Sequence, residues 1–96
     1  MTDSIKLTDV FGESFVADIK KNLPLLNEVM QYHVTQWVVS EVALFIHRQA
    51  PDTKDNFRCS KDIVFRELGE CCQMIHTVCK GEHYGFCIYS DSVRPL

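Results

Sequence analysis

The chain is 96 residues long, 46% hydrophobic and 24% charged, with a formal net charge of -3. Such a length makes one domain that can close a modest core without staples, and the apolar fraction excludes an intrinsically disordered chain. The acidic balance argues against a general nucleic-acid binder, which needs a basic face.

The cysteine count is five, an odd number, and Cys71 and Cys72 are adjacent. A disulfide framework uses even numbers and an oxidising compartment, and the first residues carry no signal-peptide pattern. The expectation is a reducing cytoplasm, the cell's own or a host's. No repeat, low-complexity run or linker divides the chain, so residues 1–96 read as a single compact domain.

Residues 1–6 are short and polar. Ile5 and Leu7 alternate there, which suits a short strand or a simple lead-in. Thr8 or Asp9 is a fitting N-cap for a first helix running to about Asn22, with Asp9 and Glu13 near its positive end. Phe11, Phe15, Val16 and Ile19 form its apolar face, and Gly12 weakens it by about 1 kcal/mol relative to Ala. Leu23-Pro24 turns the corner.

The stretch from Leu23 to Ala50 organises the rest. Pro24 suits a first helical turn, Asn22 or Leu23 would cap it, and no Gly or Pro follows until Pro51. Leu26, Met30, Val34, Trp37, Glu41 and Leu44 fall at helical spacing, as do Val34, Val38, Val42, Phe45 and Ile46. His33, Gln36, Ser40 and His47 leave only a narrow polar stripe, and a helix apolar over most of its girth is a buried one. At ~1.5 Å per residue it would extend about 40 Å. The rival reading is a strand over Trp37–Ile46, rich in β-branched and aromatic residues, but its alternation is imperfect. Glu41 and Ser40 interrupt the run, which is too short for a membrane span of about 20 apolar residues.

Pro51 to Asn56 reads as a loop. Ser60 would cap a third helix that carries Ile63, Val64, Phe65, Leu68, Cys71, Cys72, Ile75, Val78 and Cys79 on its apolar stripe and ends at Gly81. Tyr84 to Tyr89 is the best strand in the chain. An isolated strand is unstable, so it must pair with Ile5–Leu7, with another copy, or with a partner. The expected fold class is mainly α: a three-helix domain with a long buried central helix and a short C-terminal β element, or a small α+β fold if that element pairs.

The most specific chemical constellation is Cys72-x3-His76-x2-Cys79-x3-His83. On a continuous helix the first three share a face, and two thiolates with two imidazoles suit tetrahedral zinc. Cys59, Cys71 or Cys87 could replace one ligand. Against this, structural zinc sites use closely spaced pairs from two elements, and cysteines at such positions are commonly small core hydrophobes. No Gly-rich turn exposes a cysteine nucleophile beside a base. There is no phosphate loop and no HExxH, and only Glu41 lies inside the apolar run, where an interaction role fits better than a catalytic one. The basic residues Lys54, Arg58, Lys61 and Arg66 alternate with Asp52, Asp55 and Asp62, and the third helix carries too little positive charge for a recognition helix.

A chain this small has difficulty covering both sides of Val34–Ile46, so either its neighbours wrap that helix fully or part of the apolar surface is an interface. The leading expectation is therefore a non-enzymatic module that binds another protein, self-associated or not. Inhibitors, adaptors and immunity-type proteins, some from phages or other mobile elements, share this size and composition. Its expected interface residues are Trp37, Glu41, Leu44, Phe45, Tyr84, Phe86 and Tyr89. The alternative is a small zinc domain using Cys72, His76, Cys79 and His83; a weaker one is a nucleic-acid-binding regulator using Lys54–Arg66. No cofactor is expected under the leading reading, and no membrane partner.

Overall fold

A computed structural model describes residues 5–81, and it is mainly helical. In chain order the elements are α1 (Leu7–Phe11), α2 (Glu13–Asn22), a single 3-10 turn (Leu23–Leu25), α3 (Glu28–Gln49), α4 (Asn56–Leu68) and α5 (Gln73–Lys80). The described part has no strand. The expected strand Tyr84–Tyr89 lies outside the described residues. Ile5–Leu7, its suggested partner, is not extended throughout, because Leu7 begins α1.

The three expected helices become five because each outer one is broken. The first breaks at Gly12, whose φ of 90° and ψ of 158° lie in a region essentially reserved for glycine. Nothing lies within 4 Å of a Cβ built there, so the backbone angle alone demands glycine. Gly12→Ala is therefore expected to lower stability by about 1–3 kcal/mol, read as a shift of the denaturant midpoint. An unchanged midpoint would show that the α1–α2 corner relaxes freely.

The central helix starts later than its sequence suggests. Pro24 sits in the 3-10 turn, Leu26 is extended, and Asn27 is the cap, with its Oδ1 accepting the Met30 N–H at 2.9 Å. The side-chain cap outcompetes continuation from Asn22, because the extended Leu26 resets the chain before the first true turn. Twenty-two residues remain, about 33 Å at 1.5 Å each.

The third expected helix begins earlier and ends sooner. It starts at Asn56, and Ser60 is buried inside it with its hydroxyl donating to the Phe57 carbonyl at 2.8 Å, so Ser60 is not a cap. It stops at Gly69, and a turn through Cys71 leads to α5, with Cys72 at the cap position. The imidazole Nε2 of His76 donates to the Gly69 carbonyl at 2.8 Å, satisfying one of the acceptors the helix end leaves free. The break folds α5 back against both α3 and α4.

These three helices make the centre of the structure, and α1 lies against α3 and α4. The core joins Val38, Val39, Val42 and Ile46 of α3 with Ile63, Val64 and Leu68 of α4 and Ile75, Val78 and Cys79 of α5. Leu7, Val16, Ile19 and Leu23 close it from the N-terminal side. Thr35 is the polar member on α3; its hydroxyl donates to the Gln31 carbonyl at 2.7 Å and needs no partner across the core. Two polar residues of α4 tie down the chain start: Glu67 Oε2 accepts the Leu7 N–H at 3.1 Å, and Arg66 donates to the Ile5 carbonyl at 2.9 Å.

The described chain measures 36 × 33 × 16 Å. With helix axes 8–10 Å apart, a thickness of 16 Å holds about two helix layers. A helix in a two-layer slab has one face inward and one outward. The expectation that α3 is buried over most of its girth is corrected accordingly: only the Thr35, Val38, Val39, Val42 and Ile46 stripe is sealed.

Candidate interaction surface

Seen down the axis of α3, the sealed stripe and a second apolar stripe lie on opposed sides. The second runs Met30, Val34, Trp37, Glu41, Leu44, spaced alternately four and three residues apart, which keeps all five on one face. Met30 and Trp37 are each 45% exposed and Leu44 47%, whereas Val34 and Glu41 are half-buried between them. Met30 to Leu44 is two heptads, about 21 Å of helix.

Trp37 is held by neighbours from the first two helices. Its ring centroid lies 5.4 Å from Phe11 and 5.9 Å from Phe15, and the two phenylalanines lie 5.2 Å apart. Contacts of this kind fix the indole's position while leaving one side of it to solvent. Between α2 and α3 the same face continues as an open groove of about 210 Å³ lined by Asp18, Ile19, Asn22, Leu23, Leu26 and Val34. Leu25 and Val29 are also exposed, in the turn before α3 and in its first turn. Met30, Trp37 and Leu44, with Phe15 beside Trp37, thus form one exposed apolar group, whereas scattered single exposures would call for no explanation.

The expected interface residues divide three ways. Trp37, Glu41 and Leu44 share the outer face. Phe45 is turned to its flank and half-buried. Tyr84, Phe86 and Tyr89 lie outside the described residues. Phe11, Phe15 and Met30 belong to the surface without having been singled out as interface. Met30 was legible as part of the four-three repeat; the contribution of Phe15 depends on where Gly12 sends α2.

Of the suggested zinc ligands, Cys72, His76 and Cys79 are among the described residues. Among the described residues no three or more His, Cys, Asp or Glu side chains gather as a metal site. The helix break between Leu68 and Gln73 puts Cys72 at the α5 cap instead of in mid-helix, and one His76 nitrogen is committed to Gly69. His76 also stands edge-on to Phe65 at 4.9 Å, and the Lys80 ammonium lies 4.8 Å from the same ring. His83 and Cys87 fall outside the described residues.

Cys79 is buried, and burial pushes its thiol up from 9.0 to about 12. Burial also raises the Cys71 thiol, helped by the adjacent Cys72. A folded thiol that holds its proton more tightly than the unfolded one contributes stability that is complete below the unfolded pKa and lost as pH rises. For Cys79 that loss runs from about pH 9 to about pH 12. Alkaline unfolding curves should accordingly fall less steeply in Cys79→Ala than in the native chain. At pH 8 a thiol reagent should reach Cys59 before Cys79; equal rates would show that α5 opens readily.

Two basic residues of the suggested nucleic-acid patch, Arg58 and Arg66, lie beside acids, as does Lys80 of α5. Arg58 lies 3.8 Å from Asp55, Arg66 3.8 Å from Glu67, and Lys80 3.5 Å from Asp62. Among the described residues no helix is long and apolar enough to cross a membrane. The chain is thus defined by its own structure as a small helical domain with an exposed apolar seam. No protein-family model, curated protein or solved structure matches it.

Proposed function

We propose that this is a non-enzymatic interaction module that binds a partner protein through the outer face of α3, working as an inhibitor, adaptor or immunity-type regulator in a reducing cytoplasm. The observation that carries the reading is the row Met30, Trp37 and Leu44, left half-exposed on a helix whose opposite face is fully sealed. Burial of large apolar side chains supplies the main favourable term in association, and a rigidly held tryptophan is the commonest kind of anchor. The free thiols of Cys59, Cys71, Cys72 and Cys79 accord with a reducing compartment.

A photo-reactive benzoylphenylalanine placed at Leu44, with Lys80 as the control position, tests the reading in the native cell. One discrete protein adduct at Leu44, absent at Lys80 and abolished by Trp37→Lys, is the expected result. A smear of weak adducts at both positions, or none at either, would sink it.

A further inference from the structure

We propose that the α3 seam takes an amphipathic helix from a different protein, and that this helix carries a lysine or arginine opposite Glu41. The proposal rests on the interaction reading above and adds the chemistry of the partner. Met30, Val34, Trp37, Glu41 and Leu44 follow the alternating four-three spacing of a coiled-coil seam, with Arg48 continuing the row. Met30, Trp37 and Leu44 take the positions usually written d; Val34, Glu41 and Arg48 take those written a. Between Met30 and Leu44, Glu41 is therefore the one ionisable residue of an otherwise apolar strip, with Arg48 following it one heptad on.

Glu41 is half-buried, and it forms no ion pair among the described residues. The flank of the strip away from the core carries His33, Ser40 and His47, none of them an acid or a permanent cation. On the other side Asp18 is the one ionisable residue lining the α2–α3 groove. Covering this face with a purely apolar helix would bury the Glu41 carboxylate without a counter-charge, at a cost that outweighs several good apolar contacts. A base opposite Glu41 removes that cost and fixes the register at the same time.

A second copy of the chain fits poorly. Parallel pairing of two seams sets Glu41 against Glu41. Antiparallel pairing can set Glu41 against Arg48, but the two helices must then cross between Leu44 and Phe45. In that register Met30 would lie opposite position 59, well beyond the end of α3 at Gln49, and Val34 and Trp37 would also lose their partners. The other antiparallel registers of the seam set Glu41 against an apolar residue such as Trp37 or Leu44, or, when centred on Glu41, against its own copy. The seam is thus built against itself and suited to a basic, helical stranger.

The test uses the full chain and three synthetic three-heptad peptides with leucine at positions a and d. They differ only at the central a position, which is Lys, Glu or Leu, and are held below the concentration at which they self-associate. None contains Trp, so the emission of Trp37, the chain's single tryptophan, reports binding. The Lys peptide should bind at least about tenfold more tightly than the Glu peptide, and Glu41→Lys should reverse the order. Equal binding of the three, or an order that Glu41→Lys leaves unchanged, overturns the basic partner while keeping the seam as a docking face. A concentration-dependent blue shift without peptide, together with a dimer mass, assigns the face to a second copy and likewise overturns it. A free monomer whose Trp37 is already shielded from a soluble quencher overturns both this inference and the interaction reading.

Discussion

Ile46→Ala should cost about 2–5 kcal/mol of folding stability, whereas Leu44→Ala should cost about 0.5 kcal/mol or less. The two residues have side chains of equal carbon count and sit two positions apart on the same helix. Ile46 is fully buried in the shared core of α3, α4 and α5, and its truncation removes transferred apolar surface and leaves a cavity that close-packed neighbours cannot fill. Leu44 is 47% exposed on the other face, so truncation there gives back little. Against a total of about 5–15 kcal/mol for a domain of this size, the first change is a large fraction of everything that holds the chain folded. Urea unfolding followed by Trp37 emission separates the two cases through the midpoint. Equal losses at both positions would mean that the outer face of α3 is covered in the folded chain, and the interaction reading would go with it.

Leu7→Ala should cost as much as a core truncation, about 2–5 kcal/mol, although Leu7 begins a helix of only five residues. So short a helix is unstable on its own, and α1 persists because tertiary contacts hold it. Leu7 is fully buried, its N–H donates to Glu67, and the neighbouring Ile5 carbonyl accepts from Arg66. Glu67→Ala should therefore also destabilise, by about 1–3 kcal/mol, because a partly buried donor loses its acceptor. The Leu7→Ala and Glu67→Ala pair should sum to less than its parts, since both loosen the same attachment. Full additivity, or a Leu7→Ala cost below that of Gly12→Ala, would show that α1 is not anchored through Leu7. Loss of the anchor should also release Phe11 from Trp37, visible as a red shift of the tryptophan emission before global unfolding.

Much of this architecture was legible beforehand. The breaker-free stretch ending at Pro51 did form the central helix, and Glu13–Ile19 did become helical with Val16 and Ile19 inward. The misplaced boundaries have local causes. Asn27 was hidden as a cap because Pro24, three residues earlier, offered the more familiar start. Gly69 stood inside a continuous apolar stripe, and only the His76 bond to its carbonyl and the packing of α5 turn that stripe back on itself. Of the zinc constellation, Cys72, His76 and Cys79 stay on α5 or its cap, yet among the described residues no metal-binding group forms.

By itself the amino-acid sequence determined that α3 would be a helix and that it would carry two apolar stripes. Periodicity is a property of order along the chain, and the spacings of Val38, Val42 and Ile46 and of Met30, Trp37 and Leu44 are both written there. Which stripe would be sealed was decided only in three dimensions. Hydrophobic attraction has no direction, and the two stripes compete for cover on nearly equal terms. The cover went to the Val38 side because the loop after α3 and the break at Gly69 bring α4 and α5 onto it, whereas the first two helices reach the other stripe through Phe11 and Phe15 beside Trp37. A slab two helix layers thick has nothing left to lay over the other, so Trp37 and Leu44 remain half-exposed on its face.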